Sequence, residues 1–205
     1  MALSYLALGD SYTIGEAVAV QGRWPHQLAA TLRARGVALA DPQTIATTGW
    51  STDELDAAID GAAPHGPFDF VSLLIGVNNQ YRGRPLDEYR VQFEALLQRA
   101  IGFAGGRPER VLVLSFPDWG ATPFGAGSGR DLAAIEIETD EFNAAAEVIS
   151  TQQGVAFVDI TDISRAQGED PAMIAEDGLH PSARMYALWS ERALPVAAHL
   201  LGATD

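Results

Sequence analysis

Phe70-Val71-Ser72-Leu73-Leu74-Ile75-Gly76 and Val111-Leu112-Val113-Leu114-Ser115-Phe116 decide the fold. Both runs are almost continuously apolar, and neither alternates polar with apolar. A strand with one wet face alternates, whereas a parallel strand covered on both faces does not. Strands are accordingly predicted at Tyr5–Gly9, roughly Val37–Ala46, Phe68–Ile75, Arg110–Phe116 and Val155–Ile160. They are short, often β-branched, and bounded by Gly, Pro, Asp or Thr.

Helical patterns lie between them. Trp24–Arg35 carries Leu28 and Leu32 one turn apart. Ser51 or Thr52 caps a short helix through Ile59, with Asp53 and Glu54 at its positive dipole end. Leu86–Phe103 places Tyr89, Phe93, Leu96, Leu97 and Ile101 at helical spacing. A further helix is predicted from about Glu138 to Gln153, ending at Gly154. Ser182 caps a last helix through Leu201 that carries Tyr186, Leu188, Trp189 and Leu194, and Pro195 is expected to kink or split it. This alternation predicts an α/β fold, with an open parallel sheet of five strands and helices on both faces. Pro117–Asp131, with two prolines and Gly120, Gly125, Gly127 and Gly129, is expected to be a mobile loop. Following a strand, it belongs at the carboxyl edge of the sheet, where open α/β sheets bind ligands.

The 205 residues fit one domain over 1–205 that needs no metal or disulfide staple. There is no cysteine, which excludes a disulfide framework, a thiolate metal site and a cysteine nucleophile. A formal net charge of −14 repels nucleic acid and anionic lipid, and suits neutral or cationic small molecules. No stretch approaches the roughly 20 apolar residues of a membrane span, so no membrane insertion is expected. The N-terminus lacks the basic region and long apolar core of a signal peptide. As written, the chain is expected in the cytoplasm; a secreted form with its leader already removed would read the same.

Three spots carry chemistry. Gly9-Asp10-Ser11-Tyr12 follows the first strand, so the Ser11 hydroxyl falls in a strand-to-helix turn at the crevice. Asp177-Gly178-Leu179-His180-Pro181 supplies what a serine nucleophile needs, an imidazole base and a carboxylate to orient it. Gly76-Val77-Asn78-Asn79 puts an amide where it can donate to an oxyanion. Gly49, with no Cβ, lets its N–H approach a ligand closely. Each residue alone also reads as an ordinary turn or cap. Together they fall on one edge of one sheet.

In these blocks the sequence resembles the SGNH hydrolases, the GDSL-like lipases and esterases. Leu8-Gly9-Asp10-Ser11-Tyr12-Thr13, Thr48-Gly49-Trp50-Ser51, Gly76-Val77-Asn78-Asn79 and Asp177-Gly178-Leu179-His180-Pro181 occur in family order over residues 8 to 181. The resemblance implies a three-layer α/β/α sandwich of flavodoxin-like form around a five-stranded parallel sheet, and no metal or organic cofactor. It also implies Ser11, Asp177 and His180 as catalytic residues, with an oxyanion hole of the Ser11 N–H, the Gly49 N–H and the Asn78 amide. Two positions depart from the pattern. Tyr12-Thr13 stands where the family name has leucine, and Asn79 where aspartate is usual. Asn79 is given no catalytic role, and support for Asn78 is the point in question.

The expected reaction is cleavage of a small ester through an acyl-enzyme, with thioesters, acetylated sugars and lysophospholipids as alternatives on the same site. Tyr12, Trp50, Tyr81, Trp119 and Phe124 are candidates to line a substrate pocket; Arg82 and Arg84 read first as solvated surface and second as contacts to a polar substrate. Other classes fit less well. An α/β-hydrolase needs a Gly-x-Ser-x-Gly elbow. A nucleotide-binding module needs a glycine-rich phosphate loop after the first strand. A metallohydrolase needs ligand spacing that His26, His65, His180 and His199 lack. Nothing in the chain favours a non-catalytic binding domain.

Overall fold

The computed structural model describes residues 2–203. In chain order its elements are β1 (Tyr5–Gly9), α1 (Ser11–Ile14), α2 (Trp24–Ala34), β2 (Gln43–Ala46), α3 (Thr52–Ala62), β3 (Phe70–Leu74), α4 (Val77–Tyr81), α5 (Leu86–Phe103), β4 (Val111–Leu114), α6 (Pro123–Gly127), α7 (Leu132–Gln152), β5 (Ala156–Val158), α8 (Thr161–Gln167) and α9 (Ala183–Leu200). The strands pair in parallel in the order β2-β1-β3-β4-β5. The order reverses between β1 and β3. That switch point opens a crevice beyond the strands' carboxyl ends, because the chain leaves the sheet there in two directions.

Every residue of β1, β3 and β4 is buried. The reason is that helices cover both faces. α2 and α9 pack on each other, with α8 against α9, while α3, α5 and α7 form the other layer. Trp24, Trp189 and Tyr186 fill the first interface; Tyr89, Phe93 and Phe142 fill the second. The serine inside β3 is paired: Ser72 Oγ lies 2.9 Å from the Tyr5 hydroxyl on β1. A buried hydroxyl so partnered avoids its desolvation penalty.

Several elements differ from sequence expectation. Val37–Ala46 is a strand only over Gln43–Ala46, with Leu39 making one isolated bridge to Leu3. Pro42 intervenes and has no N–H to give a ladder. The other flanks fray too: Phe68–Ile75 shortens to Phe70–Leu74, Arg110–Phe116 to Val111–Leu114, and Val155–Ile160 to Ala156–Val158. The helix expected from Glu138 starts at Leu132, where the Asp131 carboxylate accepts the Ala133 N–H at 3.0 Å. Pro195 does not split α9. It sits on the exposed face beside Glu191 and Arg192, so the carbonyl it leaves unpaired can turn to water.

The Pro117–Asp131 stretch is the largest correction, for it carries regular hydrogen-bonded structure where the sequence predicts a mobile loop. It forms a 3₁₀ turn, Trp119–Ala121, followed by α6. The Asp118 carboxylate accepts from Gly120 N at 2.9 Å and pairs with Arg165. Thr122 donates to the Trp119 carbonyl at 2.7 Å and accepts from Gly125 N at 3.2 Å. Side-chain caps thus supply the order that glycine content argued against. The segment is anchored at its root by Asn143 on α7. Its amide accepts from Phe116 N at 3.1 Å and donates to Phe116 O at 2.9 Å. Asn143→Ala strands both backbone groups in the interior. It should cost roughly 2–4 kcal/mol, measured by urea unfolding; a loss below about 0.5 kcal/mol would contradict the anchor.

Candidate active site

The turn after β1 begins α1. Asp10 caps it, its Oδ1 accepting the Tyr12 N–H at 3.0 Å. Ser11 is therefore the first residue of a helical turn at the switch point, with its side chain in the crevice. Among the described residues no acceptor takes the Ser11 N–H or the Gly49 N–H. Gly49 has φ +88°, a left-handed conformation that favours glycine. The turn after β3 starts α4, which carries Asn78 in its first turn. One N–H of the Asn78 amide donates to the Trp50 carbonyl at 2.9 Å. The other hydrogen of that NH₂ remains for a ligand.

The fourth block arrives from the far end of the chain. Asp177 Oδ1 accepts the N–H groups of Leu179 and His180, each at 2.9 Å, and Oδ2 lies 2.6 Å from His180 Nδ1. Partial burial pushes the Asp177 pKa up. The N–H groups of His180 and Leu179, together with the imidazole, outweigh this and hold the carboxyl below its ordinary range. An ionised acceptor at Nδ1 assigns the proton to that nitrogen and leaves the lone pair on Nε2. His180 is buried, with its ring 5.5 Å from that of Tyr12.

Ser11, Gly49, Asn78 and His180 line one cavity of about 190 Å³. Tyr12, Thr48, Val77, Tyr81, Trp119, Phe124 and Leu179 complete it. A hydroxyl, an oriented imidazole and three uncommitted N–H donors around one space can carry out nucleophilic acyl chemistry. Of the aromatic residues expected at a pocket, Tyr12, Tyr81, Trp119 and Phe124 are present and Trp50 is not. The Trp50 side chain packs on the core, and what it offers the site is its carbonyl. Among the described residues, no three His, Asp or Glu side chains converge as a metal-ligand set, and no helix is long and apolar enough to cross a membrane.

A family model described as GDSL-like Lipase/Acylhydrolase matches residues 7–188. The chain belongs to that family. Membership places it among hydrolases. Solved structures share its fold. The crystal structure of TesA superposes with TM-score 0.74 at 17% identity, covering 96% of this chain and 99% of the other. A psychrotrophic esterase, EstA from Pseudoalteromonas sp., solved inhibited by monoethylphosphonate, gives 0.69 at 15% identity, covering 97% and 98%. A mutant of Axe2, an acetyl-xylooligosaccharide esterase from Geobacillus stearmophilus, gives 0.70 at 18% identity, covering 98% and 94%. No curated protein sequence matches the chain.

Three features of this GDSL-like hydrolase escaped sequence reasoning. Asn79 is fully buried and clamps the start of α3, accepting from Thr52 N at 3.1 Å and donating to Thr52 Oγ1 at 2.7 Å. The Gly49–Thr52 turn is thus held against α4 by Asn79, as it is by Asn78 one residue earlier. Arg82 is not merely solvated: it donates to the Gly49 carbonyl at 2.6 Å and pairs with Glu54 at 2.9 Å. Arg84 pairs with Asp53 at 2.5 Å.

The third is Asp10. Burial pushes its pKa from an ordinary 3.8 up to about 7, against the opposing N–H bonds from Tyr12 and its own backbone. Its Oδ2 is buried and finds no hydrogen-bond partner among the described residues. A carboxyl with a folded-state pKa above its unfolded value favours the fold when protonated. The cost of ionising it accrues as pH rises from about 4 to about 7 and is constant above that. Asp10→Asn keeps an acceptor for Tyr12 N–H and removes the ionisation. Denaturation of wild type and variant at pH 5 and pH 8 should show the variant losing less stability between the two; parallel losses would contradict it.

Proposed function

We propose that this protein hydrolyses small carboxylic esters by acyl transfer to Ser11. One observation carries the reading: the Ser11 side chain and a His180 ring already held by Asp177 line the same cavity.

Ser11 Oγ attacks the ester carbonyl carbon while its proton passes to His180 Nε2. The carbonyl π pair moves onto oxygen. The resulting oxyanion accepts from the Ser11 N–H, the Gly49 N–H and the free hydrogen of the Asn78 amide. Asp177 stabilises the imidazolium without taking its proton. Collapse re-forms the carbonyl and breaks the bond to the leaving alcohol, which takes the proton from Nε2. Water then enters, gives a proton to His180 and attacks the acyl-serine. A second collapse releases the acid and returns the proton to Ser11 Oγ. The clamps around Gly49 and Asn78 support this reading physically. Donors already pointing at the oxyanion cost no reorganisation as charge develops.

An organophosphonate should add to Ser11, located by mass spectrometry of the digested protein, and Ser11→Ala should retain only trace esterase activity and take up no label. Substantial turnover by Ser11→Ala, or an adduct elsewhere, would exclude Ser11 as the nucleophile. Asn78→Ala should lower kcat about 10²–10³-fold while the protein stays folded by circular dichroism; activity within threefold of wild type would remove Asn78 from the oxyanion hole.

A further inference from the structure

Four side chains from separate parts of the chain close a ring behind the cavity. Trp119, 1% exposed and part of the cavity wall, donates its indole N–H to Gln80 Oε1 at 2.7 Å. Gln80 donates in turn to Glu138 Oε2 at 2.6 Å. The Glu138 carboxylate accepts from Arg130 Nη2 at 3.0 and 2.8 Å. The Arg130 guanidinium returns to its starting point, with Cζ 5.5 Å from the centre of the Trp119 ring. Of these four, only Trp119 lines the cavity. The other three serve no purpose in the mechanism above.

We propose that this ring holds Trp119 as a fixed stop at the acyl end of the cavity and so limits the enzyme to short acyl groups. The proposal rests on the assignment of Ser11 and Asn78 given above. Three observations support it. First, Gln80 lies two residues after Asn78 on α4, so the stop is tied to the helix that presents the oxyanion donor. Second, Tyr81 stands one turn after Asn78 on the same helix, with its ring 5.2 Å from Trp119, edge to face. The leaving alcohol must face His180 to be protonated. The acyl group is then assigned to the Tyr81–Trp119 wall, which lines the same cavity as Ser11 and Asn78. Third, Phe124 closes the remaining gap, its ring centre 6.0 Å from Trp119 and 6.4 Å from Tyr81. Rings at these separations pack against one another, although Tyr81 and Phe124 also face solvent.

Size and rigidity then act together. About 190 Å³ lies below the roughly 300–1,000 Å³ of sites that enclose drug-sized ligands. A wall free to swing would not enforce that limit. An indole fixed by a hydrogen bond at one edge and a cation over its face has lost that freedom. Gln80, Glu138 and Arg130 are thus positioning residues acting through Trp119.

The test compares kcat/KM for p-nitrophenyl octanoate against p-nitrophenyl acetate, with a parallel series of acetates of rising alcohol size. Trp119→Ala should raise the octanoate-to-acetate ratio about tenfold or more, since each methylene admitted to an apolar pocket is worth about that factor. Arg130→Ala and Glu138→Gln should raise the same ratio in the same direction, roughly threefold or more, and Arg130→Lys should return it towards wild type. The alcohol series should keep its wild-type ranking throughout. An unchanged acyl ratio in folded Glu138→Gln would overturn the proposal, as would a shift in the alcohol series alone. A wild-type ratio in Trp119→Ala would overturn it equally. Should Ser11→Ala keep its activity, the site assignment itself falls, an outcome distinct from any change in these ratios.

Discussion

The parallel pairing of β1 with β3 is the constraint on which the site depends. Its register sets Gly9 beside Leu74 at the carboxyl ends of both strands. Two residues after Gly9 comes Ser11, and four after Leu74 comes Asn78. Ser11 and Asn78 therefore emerge side by side before any loop has to be specified. The pairing is close: a Cβ on Gly9 would stand 2.5 Å from the Leu74 carbonyl and 2.1 Å from Thr13 Oγ1. Only glycine lets the strand approach its neighbour and turn at once into α1. A one-residue slip would move every β1 side chain to the opposite face and carry Ser11 out of line with Asn78.

Around that frame, side-chain amides do what regular secondary structure cannot. Loops have backbone groups with no ladder to join, and inside a protein each needs a partner. Asn79 supplies it for the start of α3, Asn78 for Trp50, and Asn143 for Phe116. An asparagine donates and accepts from one planar group, so a single side chain can pair both backbone polar groups of a distant residue. The consequence is a site whose loops are each tied to a neighbouring element by side-chain hydrogen bonds. Phe124 N–H donates to the Gly178 carbonyl at 2.9 Å, which ties the segment after β4 to the turn bearing Asp177 and His180. The wall of the cavity and the His180 turn are thus coupled through backbone as well as through packing.

Charge is arranged in the same spirit. The chain carries a net charge of −14, yet its arginines near the site are committed to particular carboxylates and carbonyls. Arg82 spans Glu54 and the Gly49 carbonyl. Arg165 joins Asp118 to Asp140. Partly exposed pairs of this kind contribute little to overall stability. Their effect is to orient loops at the rim, and no arginine or lysine stands among the described residues that line the cavity.

How much of this was legible in the amino-acid sequence follows from distance along the chain. Continuous apolar runs at Phe70–Leu74 and Val111–Leu114, amphipathic spacing in Leu86–Phe103, and the short blocks around Ser11, Gly49, Asn78 and His180 are local patterns. Burial and helix periodicity act over a few residues, so a sequence displays them directly. From these came the five-stranded parallel sheet and the gathering of Ser11, Gly49, Asn78 and His180 on one edge. Partner choice is different. Asn78 finds Trp50 across 28 positions, Trp119 finds Gln80 across 39, and Gln80 finds Glu138 across 58. No propensity links such pairs; they meet only once the sheet order has placed their elements. The same cause explains the ordered 117–131 segment, the core-facing side chain of Trp50 and the clamping role of Asn79. The sequence by itself determined which elements form and which residues they deliver to the carboxyl edge. Only the tertiary structure decided which side chains touch there, because a contact within 3 Å depends on elements that packing, not sequence proximity, brings together.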